Sequence, residues 1–128
     1  MSTICLSGKV FSGKGEGARF VGLNWVQLQI EEKVGFKPYI GTLNIRLSRK
    51  NEELRKLAEQ KMVSRISPPN GYCPGLISKA LIMNIKCAIV IPLVRDYPDD
   101  ILEVIAPFNL RKELKICDGD TIDVTVTI

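Results

Sequence analysis

The chain has 128 residues, 45% hydrophobic and 25% charged, with a formal net charge of +4, no histidine and four cysteines. That length supports one core, so a single domain over residues 1–128 is expected, and no apolar run approaches the roughly 18 residues of a membrane span. Without histidine every His-based triad is excluded, leaving a carboxylate, lysine, tyrosine or cysteine as any general base.

Cys5, Cys73, Cys87 and Cys117 are widely spaced and form no CxxC pair, so buried free thiols are expected in place of a zinc site or disulfides. The opening Met1–Leu6 has no charged stretch followed by a long apolar one, and a cytoplasmic location is expected. The mild positive charge is compatible with a polyphosphate substrate, with a nucleic acid, or with no charged partner at all.

In chain order, Ile4–Phe11 reads as a strand running into the glycine-rich Ser12-Gly13-Lys14-Gly15-Glu16-Gly17. Alternate glycines let a backbone turn tightly, reach positive φ and bring N–H groups up to an anion, as a phosphate cradle requires. Asn24 is placed to cap a helix over 25–34, where Val26, Ile30 and Val34 recur at helical spacing and Gly35 supplies a stop. In Thr42–Leu47 three apolar residues alternate with Thr42, Asn44 and Arg46, giving a strand with one polar face. Thr42 and Asn44 share that face and offer a hydroxyl and an amide oxygen, hard ligands that suit Mg²⁺.

Asn51 is placed to cap an amphipathic helix reaching about Met62, its charged face turned to solvent. Ser67–Gly75 holds too many breakers for regular structure and reads as a surface loop. Strands over 76–83 and 87–91 form a hairpin around Asn84-Ile85-Lys86, and Pro92 ends it. Ile101–Ala106 is nearly all apolar but contains Glu103, residues 107–114 turn into a short helix, and Asp118-Gly119-Asp120 leads into a last strand over 121–128. Short strands without a βα repeat predict a mainly β fold, a closed β-barrel carrying short helical insertions.

Taken in order, Gly8–Gly17, Gly35–Asn44 and Leu102–Arg111, with Asp118-Gly119-Asp120 closing the series, resemble the archaeal-type CTP-dependent riboflavin kinases over nearly the whole chain. The resemblance implies a six-stranded cradle-loop (RIFT-like) barrel and transfer of the CTP γ-phosphate to the ribityl 5′-hydroxyl of riboflavin, giving FMN and CDP. It implies a nucleotide site from Gly13, Lys14, Gly15, Glu16, Gly17, Ala18 and Arg19, completed by Phe108, Asn109, Leu110 and Arg111. It also implies one Mg²⁺ on Thr42 and Asn44, and a flavin contact from Glu103.

Arg111 is the candidate for phosphate contact, because a guanidinium binds two oxygens at once. Glu103 has the chemistry of a general base toward the riboflavin hydroxyl. The chain departs from the family at Arg95, where a flavin-contacting threonine is usual, and Arg95 is a candidate for the FMN phosphate. Ala18 stands where some members carry a basic residue, with Arg19 beside it as a substitute. Riboflavin/FMN and CTP/CDP are the expected partners, with no nucleic acid or membrane and a monomer favoured. The competing readings are a nucleic-acid-binding barrel, as in transcription regulators, and a kinase of the same chemistry that uses ATP.

Overall fold

Alternating apolar residues build the strands, and the barrel interior is where their apolar faces meet. The computed structural model describes residues 2–69 and 73–128. In chain order it has β1 (Thr3–Phe11), α1 (Glu16–Val21), α2 (Asn24–Val34), β2 (Leu43–Leu47), α3 (Arg49–Lys61) and β3 (Arg65–Ile66). Then come β4 (Gly75–Ile82), β5 (Ile85–Pro92), β6 (Ile101–Ile105), α4 (Leu110–Leu114) and β7 (Thr121–Thr127). Strands β4-β5-β6-β2-β1-β7 form an antiparallel sheet closed by pairing of Ala80 with Val126 and Leu81 with Thr125. The short β3 lies along the other end of the same β4 edge, opposite Leu76 and Gly75. The closed six-stranded barrel with short helices is therefore present.

Leu6, Val10, Leu43, Ile45, Leu47, Ile89, Leu102, Val104, Val124 and Val126 fill the interior. A second core lies outside the wall, where Ile77, Ala88, Val90 and Ile105 meet Val21, Val26 and Ile30 of α1 and α2. Strand β5 is consequently buried on both faces, which accounts for its unbroken apolar run Cys87–Ile91. Burying a Val, Leu or Ile side chain contributes roughly 1.5–3 kcal/mol, so this two-sided packing fixes the helices that carry the glycine segment.

Several local expectations are corrected. The glycine segment does not stay a loop: its second half winds into α1, with Gly15 as the N-cap at φ 82. Asn24 is the first residue of α2 and Leu23 the capping position, with no side-chain cap. Gly35 does end that helix, in the left-handed region at φ 85. Helix α3 starts two residues before Asn51, after Ser48. The Asn51 side chain instead donates to Ser48 Oγ at 2.8 Å and accepts from the Ser7 N–H at 2.9 Å, tying the helix start to β1. The hairpin turns at Met83-Asn84, with Met83 at φ 53, earlier than expected. Of the expected 67–75 loop, residues 67–69 and 73–74 lack regular structure, Gly75 opens β4, and 70–72 lie outside the described residues.

The thiols differ from expectation too. Cys5, Cys73 and Cys117 are exposed and only Cys87 is buried. Burial pushes the Cys87 thiol up to about 12, against a backbone hydrogen bond from Ile82 that lowers it. In the unfolded chain the same thiol ionises near 9.0. The folded state therefore holds its proton where the unfolded state has lost it, and stability falls as pH rises from about 9 toward about 12. A thiol-reactive chromophore at neutral pH is expected to modify three cysteines rapidly in the folded protein and the fourth only on unfolding. Rapid modification of all four would contradict the buried position of Cys87.

Candidate active site

Strand register aligns a row of side chains on the outer wall. Phe11 stands opposite Asn44, Asn44 opposite Glu103, and Glu103 opposite Val90, across β1, β2, β6 and β5. Their neighbours in sequence, Val10, Ile45, Leu102 and Val104, point into the barrel. Thr42, just before β2, joins Asn44 on the outer face, as the alternation requires. Its hydroxyl lies 3.2 Å from Asn44 Oδ1 and 3.4 Å from Glu103 Oε1. One hydroxyl proton thus faces two acceptor oxygens at long distances, leaving a cluster of hard oxygen donors poor in protons. Among the described residues no group of three or more His, Cys, Asp or Glu could hold a metal. The hydroxyl, amide and carboxylate oxygens together nevertheless fit Mg²⁺, which takes few protein ligands and completes its shell with water and phosphate.

The glycine segment lies directly over this cluster. A Cβ on Gly13 would collide with the Asn44 amide, and one on Gly17 with Thr42 Oγ1 and Glu103 Oε1. At Gly15 a Cβ would meet nothing, and its need is the positive φ. The alternate glycines therefore serve two purposes: close approach at 13 and 17, backbone conformation at 15. Helix α1 carries Ala18 and Arg19 onward, with Arg19 in its last turn.

The base of the segment is clamped from the opposite end of the chain. The Val10 N–H donates to the Asp120 carbonyl at 2.9 Å, and the Gly119 N–H to the Val10 carbonyl at 2.8 Å. Arg111 Nη2 donates to the Phe11 carbonyl at 3.0 Å and to Asp118 Oδ1 at 2.6 Å. Ser12 Oγ donates to Asp118 Oδ2 at 2.9 Å. The hydrogen bond from Arg111, then that from Ser12, holds the Asp118 carboxyl below the usual carboxylate range. Arg111 is thus engaged within the protein through Nη2.

Beside the cluster is a cleft of about 140 Å³ lined by Tyr39, Thr42, Phe108, Asn109, Leu110 and Arg111 among others. Asn109 caps α4 by accepting from the Lys112 N–H at 3.3 Å, and its amide nitrogen lies 3.4 Å from Tyr39 Oη. Leu110 is buried in the barrel core, so it anchors the helix while Phe108, 37% exposed, faces the cleft side. Thr42 lines the cleft too, so the cleft opens onto the oxygen cluster.

The remaining wall is the 93–100 loop. Tyr97 Oη donates to Glu103 Oε2 at 2.6 Å, so each carboxylate oxygen has its own partner: Tyr97 on one, Thr42 on the other. Beneath the loop lies Arg55, 3% exposed, although the charged face of its helix was expected to be solvated. Arg55 Nη1 donates to the Pro98 and Ile101 carbonyls, both at 2.8 Å, and Nη2 to Glu59 Oε1 at 3.1 Å. Its guanidinium sits over the Tyr97 ring at 5.4 Å. Arg95 is exposed, and among the described residues it makes no hydrogen bond or ion pair.

Comparison with known proteins bears directly on this arrangement. The family model CTP-dep_RFKase, described as a domain of unknown function (DUF120), matches residues 10–126. The chain belongs to the CTP-dependent riboflavin kinase family. It is 38% identical over 127 residues to a riboflavin kinase of Ignicoccus hospitalis, covering 96% of this chain and 71% of that protein. It is also 38% identical over 130 residues to a riboflavin kinase of Archaeoglobus fulgidus, covering 98% of this chain and 56% of that one. With a Methanosarcina barkeri riboflavin kinase it shares 37% over 121 residues, 91% of this chain and 54% of the relative. The chain thus spans little more than half the length of the latter two. In this riboflavin kinase family member, Gly13, Gly17, Thr42, Asn44 and Glu103 converge, and Phe108–Arg111 line the adjoining cleft. Arg95 is on an exposed stretch two residues before Tyr97.

Sequence reading missed Tyr97 and Arg55. Tyr97 sits in Arg95-Asp96-Tyr97-Pro98, a turn-rich stretch without periodicity. Arg55 precedes Lys56 in a charged helix, where the charge pattern alone suggests solvent.

Proposed function

We propose that this chain phosphorylates riboflavin, taking the γ-phosphate from CTP and releasing FMN and CDP. The observation that carries the reading is the convergence of Thr42, Asn44 and Glu103 under the Cβ-free surface of Gly13 and Gly17. This brings the glycine backbone, hard oxygen ligands and a carboxylate to one point. In the proposed reaction the ribityl 5′-oxygen forms a bond to the γ-phosphorus, the bond from that phosphorus to the β,γ-bridging oxygen breaks, and the hydroxyl proton passes to Glu103. Phosphoryl transfer depends mainly on positioning and charge neutralisation, which this arrangement supplies without a Walker lysine.

Gly13–Arg19 and Phe108–Arg111 would hold the nucleotide, its base against Phe108 in the cleft and its phosphates beside the glycine segment. Thr42 and Asn44 would hold Mg²⁺, which when bound neutralises phosphate charge. Glu103 would face the flavin side, with Arg95 reaching the FMN phosphate from the exposed 93–100 loop. A cytoplasmic site of action fits these substrates, and among the described residues no helix is long and apolar enough to cross a membrane.

Two measurements test this. Incubation with riboflavin, Mg²⁺ and each of the four nucleoside triphosphates should yield FMN, with CTP the preferred donor; absence of FMN with every donor would overturn the kinase reading. In thermal melts CTP with Mg²⁺ should stabilise the chain far more than ATP, by roughly 2.7 kcal/mol at a concentration about 100 times Kd. Equal shifts would remove the cytosine preference, and a shift with oligonucleotides alone would favour a nucleic-acid-binding barrel.

A further inference from the structure

The geometry assigns Tyr97 and Arg55 as positioning residues for Glu103: Arg55 fixes the 97–101 backbone from below, and Tyr97 in turn holds one carboxylate oxygen so that the other faces the Thr42 cluster. This rests on the proposed role of Glu103 in phosphoryl transfer.

Three observations carry it. The Tyr97–Glu103 hydrogen bond is short, 2.6 Å, and goes to the carboxylate oxygen that Thr42 does not approach. A carboxylate on an outward strand position can otherwise rotate about its side-chain bonds, and a charge-assisted hydrogen bond to one oxygen selects a single orientation. Second, the loop bearing Tyr97 has no strand pairing of its own. Its connection into β6 is fastened by the two 2.8 Å bonds from Arg55 Nη1 to the Pro98 and Ile101 carbonyls. These bracket the segment just after Tyr97, while the guanidinium covers the tyrosine ring at 5.4 Å.

Third, Arg55 is a costly choice for that place. It is 3% exposed, and its buried Nε has no hydrogen-bond partner among the described residues. Glu59 balances its charge at 3.1 Å, but a buried ion pair is commonly no more stable than an apolar replacement of similar volume. The guanidinium provides what an apolar side chain would lack: two directed bonds from Nη1 that set the loop's height over the barrel wall, with Nη2 left for Glu59.

The test compares kcat, riboflavin KM, CTP-induced thermal shift and melting temperature for Tyr97→Phe, Arg55→Lys, Glu103→Gln and the pairwise combinations. Tyr97→Phe removes one oxygen and keeps the ring against Arg55. It should lower kcat about ten- to a hundredfold, the range for one hydrogen bond to a charged group. Riboflavin KM, the CTP shift and the melting temperature should stay near wild type. In the Glu103→Gln background the same change should have almost no further effect, since the group it orients is gone.

Arg55→Lys keeps the charge and loses the guanidinium, and its loss in kcat should be largely absorbed in the Tyr97→Phe background. If Arg55→Lys fails to fold, Arg55→Gln, which retains a planar donor, takes its place. Wild-type kcat in Tyr97→Phe, or a full multiplicative loss on top of Glu103→Gln, would overturn the assignment. An Arg55 variant that lowers the melting temperature but not kcat would overturn its part. Full activity in Glu103→Gln would instead overturn the underlying role of Glu103, so the two failures are distinguishable.

Discussion

Replacing Thr42 and Asn44 together by alanine is expected to reduce turnover by on the order of 10²- to 10³-fold, the scale of losing a main charge-stabilising element, while the melting temperature hardly moves. The asymmetry follows from where the two side chains lie. Both are half-buried on the outer wall, whereas the residues that alternate with them, Leu43 and Ile45, fill the barrel interior. Truncation therefore removes oxygen ligands and leaves the core intact, and substitutions of that kind generally change stability by only about 0.5 kcal/mol. A ligand role predicts a further signature: activity of the double variant should rise with Mg²⁺ concentrations that already saturate the wild type. Turnover retained at limiting Mg²⁺ would place the metal elsewhere, and a collapse in melting temperature would show that the pair supports the fold.

The barrel was legible because its strands follow period-two alternation, and Thr42–Leu47 shows how far that reaches: the same pattern that buries Leu43, Ile45 and Leu47 places Thr42 and Asn44 together outside. Register across strands was not legible. That Asn44 stands opposite Glu103 depends on the pairing of β2 with β6, some sixty residues apart, and no local pattern encodes it. Glu103 could be noticed as a carboxylate in an apolar strand, but its cover by Gly17 is tertiary.

The cap errors have one cause. Asn24 and Asn51 are good capping residues by type, yet each lies inside its helix, and Asn51 spends its side chain on Ser48 and on the backbone of Ser7, a contact spanning 44 positions in sequence. Arg55 failed for the opposite reason. Sequence gives a charged residue on a charged helix a solvated place, and only packing of α3 against the 97–101 segment reveals a buried one. Arg111 illustrates a subtler limit. Its guanidinium chemistry pointed to phosphate, whereas its bonds to Asp118 and the Phe11 carbonyl show that it holds the base of the glycine segment.

Glu103→Gln should lower kcat by about 10²- to 10⁴-fold, the range spanned by loss of a positioned general base. Glutamine keeps the length and planar end of the side chain, and its oxygen can still accept from Tyr97 Oη, so the loop and strand have no reason to move. What it loses is the capacity to take the hydroxyl proton. Nucleotide binding should persist, because the cleft formed by Tyr39 and Phe108–Arg111 does not include Glu103. The loss should therefore appear in kcat and kcat/KM together, with an unchanged CTP-induced thermal shift. An increase in riboflavin KM at constant kcat would mean instead that Glu103 contributes uniform binding to the flavin. That result would leave riboflavin phosphorylation standing and remove only the base assignment, since transfer would then proceed by placement of the two substrates over the Thr42–Asn44 cluster.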